Sequence, residues 1–401
     1  MILLQINVVN NIYSTGRFVE EIGQLALSNG WTSYIAYGQA ANPSQSQLIK
    51  IGSKWDIYKH GFLTRLTDRH GFGSKRATKK FIQQIETIKP DIIHLHNIHG
   101  YYLNIEILFD YLAHSDIPVV WSLYDCWPIT GHCAYFDLVG CNQWQTTCIH
   151  CPQKKAYPAG FISQAKKNFE QKKELFNQVK NLTLVPGSHW LETIFGQSYL
   201  NKYPSHIIYS GINIHDFSPQ TNVSEIRKNM GLTGKFVLLG AASTWDIRKG
   251  LNDFIALSQL LSSEYQIVLV GLSSSQINDL PSTIIGVERT QSIQKLAELY
   301  SLSDVFVNPT HEDTYPTTNL EAMACGTPVI TYQTGGSGES VSEKTGIIVE
   351  KGNLPALHQA IQTVKSNGKA LYTKACRERA LTHFDKEKCY QKYIDLYNTL
   401  I

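Results

Sequence analysis

The sequence contains no apolar run that approaches the ~20 residues a membrane-spanning helix needs. It also lacks an excess of either charge, since 36 Lys and Arg stand against 33 Asp and Glu, for a net charge of +3. So mild a charge argues against a general nucleic-acid-binding protein. The opening residues MILLQINVVNN lack the basic leader and cleavage site of a signal peptide. We therefore expect a cytoplasmic protein whose eight cysteines are mostly reduced.

The 401 residues are 43% hydrophobic and 17% charged, which is typical of a globular chain too long for one core. The second half alternates short apolar segments with helical patterns, as in a parallel sheet wrapped by helices. Its predicted strands are FVLLGAAS, IVLVG, TIIGV, DVFVNP, PVITY and GIIVE. In the first half, strands are predicted at ILLQINVV, DIIHLHN, VVWSLYDCW, NLTLV and HIIYS, the last leading into a linker.

The stretch from Asn308 to Glu339 carries the most specific pattern. A buried strand leads into a polar loop, then into a helix that Thr317 or Thr318 can cap and that Gly326 ends. The next strand leads into a flexible Gly-Gly loop. Loops and a helix N-terminus thus converge at the carboxyl edge of a parallel sheet, where open α/β sheets bind ligands and where anions are favoured.

A loop acid, then EAMACGTPVI, then a Gly-Gly loop resembles the donor site of glycosyltransferase family 4. The resemblance implies retaining enzymes of the GT-B fold, in which two Rossmann-like parallel-sheet domains face a cleft. It divides this chain into an acceptor-binding domain (1–217), a nucleotide-sugar donor-binding domain (218–383) and a C-terminal helix (384–401) that crosses back to the first domain. An ordinary Rossmann-like helix with an accidental acid pair is the alternative.

The resemblance assigns the donor site residue by residue. Lys249 matches the lysine that binds the donor diphosphate, and Arg248 supplies a second charge because the family's arginine position falls on Thr244. Glu321 matches the glutamate that binds the ribose hydroxyls, and Asp313 stands where a glutamate contacts the sugar. Backbone amides near the donor come from Gly16, Gly335 and Gly336, although a plain βα turn also explains Gly16.

In the first domain the family has a His-Asp pair that contacts the donor sugar, where this chain has Tyr124 and Asp125. A tyrosine donates a hydrogen bond but carries no charge near neutral pH. Other polar residues near the ends of these strands are candidates for the acceptor side: His96, Asn97, His99, Tyr101 and His132.

The predicted activity is retaining hexosyl transfer from a nucleotide sugar to a lipid-linked or oligosaccharide acceptor, with no cofactor required for catalysis. A cysteine-rich insert at residues 126–151, together with HLHNIHGYYLNI, resembles the family branch that builds bacterial exopolysaccharides such as colanic acid. Surface polysaccharide biosynthesis is therefore the expected setting. The alternative is a catalytically weakened GT-B protein that acts as a binding partner in such an assembly. Tyr124, Thr244 and the departures at Ser210 and Asn213 favour this alternative, whereas Lys249 and the other retained residues favour the enzyme.

Residues 50–80 carry nine Lys or Arg against two Asp, interleaved with aromatic side chains. This composition suits peripheral contact with the anionic inner face of a membrane or with an anionic lipid diphosphate. A solvated helical face explains it equally well. The cations are Lys50, Lys54, Lys59, Arg65, Arg69, Lys75, Arg76, Lys79 and Lys80.

A cysteine-rich insert spans residues 126–151. Cys148 and Cys151 have the spacing of a metal-chelating pair, and Cys133 and Cys141 complete a four-thiolate zinc set. The spacing is not that of a standard zinc ribbon, so free buried thiols and disulfides stay open, although a reducing compartment disfavours disulfides.

Overall fold

A computed structural model describes all of residues 1–401 and divides into two compact units. The first unit contains Met1–Tyr209 and Tyr390–Ile401, and the second contains Ser210–Cys389. Each unit has a six-stranded sheet with parallel pairing throughout. The predicted α/β architecture with two parallel sheets is confirmed.

The first unit contains six strands and seven helices, with 3₁₀ turns at Trp127–Ile129 and Gln143–Gln145. In chain order they are β1 (Ile2–Asn7), α1 (Tyr13–Ser28), β2 (Thr32–Tyr37), β3 (Gln47–Lys50), α2 (Lys54–Thr67), α3 (Lys75–Ile88), β4 (Ile92–Leu95), α4 (Ile105–His114), β5 (Val119–Leu123), α5 (Ala165–Phe176), β6 (Leu182–Pro186), α6 (His189–Gly196) and, after the second unit, the C-terminal α14 (Lys386–Leu400).

The second unit contains six strands and seven helices, with 3₁₀ turns at Ile247–Lys249 and Gly338–Ser340. They are α7 (Val223–Asn229), β7 (Phe236–Ala241), α8 (Leu251–Ser258), β8 (Tyr265–Val270), α9 (Ser274–Asn278), β9 (Ile284–Val287), α10 (Ile293–Leu302), β10 (Val305–Asn308), α11 (Thr317–Ala324), β11 (Val329–Tyr332), β12 (Gly346–Val349), α12 (Leu354–Asn367) and α13 (Ala370–His383).

The two sheets have the same strand order. The first runs β3-β2-β1-β4-β5-β6, and the second runs β12-β11-β10-β7-β8-β9, which is the same arrangement read from the other edge. In each sheet the order reverses between the first and fourth strands, β1 and β4 or β7 and β10. The loops that leave these two strands open a crevice at the carboxyl edge, where doubly wound sheets bind ligands.

The strands β4, β5, β10 and β11, inside their sheets, and the edge strand β6 are buried along their whole length. Parallel strands covered by helices on both faces need continuous apolar runs rather than alternation, which is why these segments were recognisable in the sequence. All six strands predicted for the second unit are present.

One predicted strand is wrong. HIIYS is not a strand: Ser205, just before it, forms an isolated bridge with Leu184, and His206 N and Ile208 N donate to the carbonyls of Leu184 and Pro186 at 3.0 and 3.4 Å without forming a continuous ladder. The strand β2 and the edge strand β3 were not predicted. The exposed residues of β3 explain this, since the strand is short and shows little apolar pattern.

Most of helix α14 belongs to the first unit, from Tyr390 onward. The hydroxyl groups of Tyr393 and Tyr397 lie 2.8 Å from Ser122 Oγ and 2.6 Å from His94 Nδ1. These contacts join α14 to buried polar groups of β4 and β5, so the helix completes their hydrogen bonding. None of the helices has the length and apolar character required to span a bilayer.

Three histidines of the first unit are held neutral inside the fold. Burial lowers the pKa of His60 to about 4 and that of His96 to about 3, and it holds the pKa of His94 well below its usual value. His60 Nε2 accepts hydrogen bonds from the backbone N–H groups of Gly71 and Gly73, which an unprotonated nitrogen alone can do.

We expect the free energy of unfolding to fall as pH drops from about 6.5 towards about 4, because the unfolded chain binds protons on these histidines before the folded chain does. Each neutral histidine contributes a slope of about 1.4 kcal/mol per pH unit in this window. Urea unfolding at a series of pH values measures the slope, which His60→Gln should reduce. His114→Gln, at an exposed site, should leave it unchanged. Equal slopes for His60→Gln and the wild type would contradict a neutral His60.

Candidate functional site

The candidate site of the second unit lies at the carboxyl edge of its sheet, where β7 and β10 adjoin. The loop after β7 carries Lys249, and the loop after β10 carries Asp313. Their side chains form an ion pair between Lys249 Nζ and Asp313 Oδ2, and both are largely shielded from solvent. The structure therefore brings together the two residues predicted for the diphosphate and the sugar.

The turn that carries Lys249 is held by backbone contacts to the neighbouring loop. The carbonyl oxygen of Arg248 accepts hydrogen bonds from His311 N at 2.6 Å and Thr310 Oγ1 at 3.0 Å. Gly250 follows with φ of 76°, and a Cβ there would lie 2.2 Å from the carbonyl oxygen of Pro309. The loops after β7 and β10 are thus locked together, which fixes the position from which Lys249 projects.

Arg248 is the second predicted cation, and the structure pairs it locally. Its Nη2 and Nε atoms lie 2.9 and 3.2 Å from Asp246 Oδ2. Much of its charge is therefore balanced by its own turn, whereas Lys249 reaches across to the next loop. Thr244, which occupies the family's arginine position, is exposed.

The Gly-Gly loop packs directly against Asp313. A Cβ at Gly335 would lie 1.7 Å from the Asp313 carbonyl oxygen, and Gly335 has φ of 49°. The amide of Gly336 donates to the same carbonyl at 3.3 Å. Only glycine permits this approach, so the loop brings its backbone to the Lys249–Asp313 pair for a steric reason.

Glu321 lies in α11, one helical turn beyond its start. Tyr300 donates from its hydroxyl to Glu321 Oε2 at 2.8 Å, which fixes the carboxylate. The predicted capping of this helix is wrong, since Pro316 is the N-cap residue and no side chain caps the helix. Proline fixes φ and so starts the helix without a cap. The predicted end is confirmed, because Gly326 with φ of 76° follows the last turn.

Asn319 ties the three parts of the site together, and the sequence analysis gave it no role. Its side chain accepts from Asn308 Nδ2 at 2.8 Å and donates to Ser337 and Ser340 at 3.1–3.2 Å. These partners belong to the end of β10, the Gly-Gly loop and the 3₁₀ turn after it. The signal available in the sequence was an amide at the first turn of a helix that follows a polar loop.

A second group of contacts supports the loop after β10 from α8. His311 Nε2 lies 2.8 Å from Asp253 Oδ2, and Tyr332 donates to Asp253 Oδ1 at 2.7 Å. Thr334 donates to the His311 carbonyl at 3.0 Å. Asp253 is in the first turn of α8, where a carboxylate also favours the helix dipole.

In the first unit, Gly16 lies inside α1 rather than in the preceding loop. Its carbonyl accepts from Asn11 N at 2.9 Å, and a Cβ would lie 3.1 Å from Val9 Cγ2. The structure thus gives Gly16 a packing reason to be small. Its predicted contact with a donor stays a prediction.

Tyr124 follows β5 and is connected to the buried histidines. Its hydroxyl lies 2.8 Å from His96 Nδ1, while His96 Nε2 lies 3.1 Å from Gln5 Oε1. Burial raises the pKa of Tyr124 well above its usual value, so the hydroxyl stays protonated. His94 and His96 share one face of β4, with ring centroids 3.8 Å apart, as the strand period requires.

Asp125 and His99 form a partly buried pair. His99 Nε2 lies 2.8 Å from Asp125 Oδ2, and His99 Nδ1 lies 2.9 Å from the Tyr157 hydroxyl. The other carboxylate oxygen of Asp125 accepts from Trp127 N at 2.9 Å. These contacts orient the imidazole from both sides, so His99 is the predicted acceptor-side residue with the best defined geometry.

The remaining acceptor-side candidates, Tyr101, Asn97 and His132, each contact different neighbours. Tyr101 has φ of 69° and its ring centroid lies 4.8 Å from that of His70. The Asn97 carbonyl accepts from Tyr102 at 2.9 Å. His132 is fully buried in an ion pair between its Nδ1 and Asp68 Oδ1, at the cysteine-rich insert.

All eight cysteines are free thiols, and four of them line one pocket in the insert together with His132. The Cys133 thiol donates to the sulfur of Cys151, which lowers the pKa of Cys151 to about 6 and raises that of Cys133. No group of three or more His, Cys, Asp or Glu side chains is arranged to hold a metal ion. The predicted zinc site stays a prediction. The pocket thiols are Cys133, Cys141, Cys148 and Cys151.

The chain resembles known glycosyltransferases over part or nearly all of its length. Residues 234–367 match the family model of glycosyl transferases group 1. The chain is 24% identical to WcaC of Escherichia coli (strain K12), a candidate colanic acid biosynthesis glycosyl transferase, over 95% of both chains. It is 28% identical to the N,N'-diacetylbacillosaminyl-diphospho-undecaprenol alpha-1,3-N-acetylgalactosaminyltransferase of Campylobacter jejuni, over 48% of this chain and 53% of that relative.

Among solved structures, HepE of Anabaena in complex with UDP has a TM-score of 0.70 at 15% identity and covers 100% of both chains. This match confirms the predicted GT-B fold. It shows that the two parallel sheets belong to one known architecture.

Proposed function

We propose that the protein is a retaining glycosyltransferase of bacterial surface polysaccharide biosynthesis, since residues 234–367 match the family model of glycosyl transferases group 1. Its donor is a nucleotide sugar, and its acceptor is a lipid-linked saccharide. The observation that carries the proposal is the Lys249–Asp313 ion pair at the strand reversal, with the Gly335 backbone packed against it. The relatives named above supply the setting, since one is named for colanic acid and one for a diphospho-undecaprenol acceptor.

The donor diphosphate binds beside Lys249 in this proposal. A carboxylate that holds a lysine ammonium in a largely shielded site fixes its position before an anion binds, so little reorganisation is needed on binding. Amides of the Gly-Gly loop add donors without charge. The complexes of HepE with UDP and with UDP-glucose support a nucleotide sugar as the class of donor.

Glu321 binds the ribose hydroxyls of the nucleotide. The hydrogen bond from Tyr300 orients its carboxylate, and a carboxylate is an acceptor for two vicinal hydroxyls. Asp313, one loop away, contacts the sugar once the diphosphate shares Lys249. Glu321 thus binds the nucleotide, and Asp313 binds the sugar.

The transfer proceeds with retention at the sugar carbon. The bond between that carbon and the diphosphate oxygen breaks, and the acceptor oxygen bonds to the carbon from the same face. A diphosphate oxygen takes the acceptor proton, while Lys249 stabilises the negative charge that develops on the leaving group. The protein supplies position and electrostatics and requires no metal or other cofactor for this step.

Glu321→Gln tests the assignment with purified full-length protein, a panel of nucleotide sugars and an undecaprenyl-diphosphate-linked saccharide. We expect the wild type to release nucleoside diphosphate and extend the acceptor. The variant should lose about 1.5–3 kcal/mol of donor binding, roughly tenfold or more in kcat/KM, because an amide replaces a charged acceptor.

Glu264→Gln is the matched control, since Glu264 is an exposed partner of Lys365 in the same unit. It should transfer sugar at the wild-type rate. Well-folded wild-type protein that turns over none of the nucleotide sugars would contradict the enzyme assignment. Equal kcat/KM for Glu321→Gln and the wild type would contradict the role of Glu321. NMR of the product's anomeric proton tests retention.

We also propose that α2 and α3 rest on an anionic membrane surface, where a lipid-linked acceptor resides. Three aromatic side chains of α2 lie along one exposed stripe, with Trp55 81% exposed. The cations of α3 are exposed as well. Aromatic rings at the interface and lysines near anionic headgroups each favour binding. The residues are Trp55, Tyr58 and Phe62 on α2, and Lys75, Arg76, Lys79 and Lys80 on α3.

Sedimentation with vesicles of phosphatidylglycerol tests this surface. We expect binding that weakens with added salt and with Lys79→Gln/Lys80→Gln, by about 1 kcal/mol for each charge removed. Trp55→Ser should weaken binding with little change in salt dependence. Lys166→Gln/Lys167→Gln, on the exposed side of α5, is the matched control and should bind as the wild type does. Absent or salt-independent binding would contradict the proposal.

A further inference from the structure

The cysteine-rich insert closes around one pocket that the proposed sugar transfer does not use. The pocket is lined by Cys133, Cys141, Cys148 and Cys151 and by the imidazole of His132. The thiols of Cys133 and Cys151 are in hydrogen-bonding contact. Two thiolates on a tetrahedral zinc ion also lie side by side, about 3.8 Å apart, as Zn–S bonds of ~2.3 Å require.

His132 points to an unfilled polar requirement in the same pocket. Its Nδ1 is paired with Asp68, and both side chains are fully buried. Its Nε2 is also buried and has no hydrogen-bond partner. A buried ring nitrogen left without a partner costs free energy, and this one belongs to a pocket whose lining includes four thiols.

Lys172 adds a buried positive charge next to the insert. Its ammonium donates to the carbonyls of Trp127 at 2.8 Å and Thr130 at 3.1 Å, and it lies 3.4 Å from the Trp127 ring centroid. Carbonyls and a ring solvate this cation, and the carboxylates of Asp125 and Asp68 lie near enough to favour its charge. A buried cation is favourable only where negative charge lies nearby, and deprotonated thiols of the pocket would add to it.

We propose that the pocket binds one zinc ion through the thiolates of Cys133, Cys141, Cys148 and Cys151. Each thiol releases its proton to solvent as its sulfur bonds the metal. Four thiolates on one Zn²⁺ leave an excess of negative charge, which Lys172 offsets. Because no three ligands are yet arranged around one point, binding requires the thiol side chains to turn inward.

The zinc ion would act as a clamp on one side of the first unit. The insert continues into the segment that carries Tyr157, whose hydroxyl lies 2.9 Å from His99 Nδ1 and 3.4 Å from His70 Nε2. Trp127, near the start of the insert, donates its backbone N–H to Asp125. Fixing the insert therefore fixes the partners of the His99–Asp125 pair, so the metal has a positioning role and not a catalytic one.

Elemental analysis of the full-length protein, purified without a metal-affinity step, tests the site. We expect about one zinc ion per chain in the wild type and a large loss in Cys148→Ser and in Cys151→Ser. Cys376→Ser is the matched control, since Cys376 is a buried thiol of the second unit that donates to Thr345 O. It should retain the wild-type zinc content.

Cobalt substitution keeps the test decisive if the serine variants do not fold. Wild-type protein refilled with Co²⁺ should show the thiolate charge-transfer and ligand-field bands of tetrahedral sulfur coordination. Folded wild-type protein that lacks zinc, stays metal-free with added zinc and shows no such cobalt bands would overturn the proposal. A Cys148–Cys151 or Cys133–Cys151 disulfide in the protein from cells would overturn it as well.

Discussion

The ion pair between Lys249 and Asp313 is the interaction on which the second unit's site depends. It joins the loops that leave β7 and β10, the two adjacent strands at which the sheet order reverses. The approach of Gly335 to the Asp313 carbonyl adds the third loop. With the charge of the lysine balanced in a shielded place, an anionic ligand meets a cation whose position is already set. This is electrostatic preorganisation, which contributes most where water is excluded.

The first unit repeats the same strand order but fills its crevice differently. The ends of β4 and β5 carry neutral, buried histidines and the His99–Asp125 pair, where the second unit carries an ion pair open to an anion. In the proposed function, the second unit holds the charged donor and the first presents hydrogen-bonding groups to hydroxyls. Identical topology thus supports different chemistry, because the loops and not the strands carry the site.

The sequence was sufficient for the features that local chemistry determines. Continuous apolar runs predicted the inner strands, Gly326 predicted the end of α11, and the Gly-Gly pair predicted the loop beside Asp313. Features set by distant contacts were missed or misplaced. Nothing local shows that Asn319 bonds three separate segments, that Asp246 pairs with Arg248, or that HIIYS follows the edge of β6 without forming a strand. Each of these depends on which segments the fold brings together.

Calorimetric titration with nucleoside diphosphates tests most directly whether the ion pair marks the donor site. The account predicts that the wild type binds at least one of them and that Lys249→Gln weakens binding roughly tenfold or more, the loss expected when a charged hydrogen bond is removed. Lys365→Gln, which removes an exposed lysine of the same unit, should bind as the wild type does. Binding that Lys249→Gln leaves unchanged, or no binding of any nucleoside diphosphate by folded protein, would contradict the account.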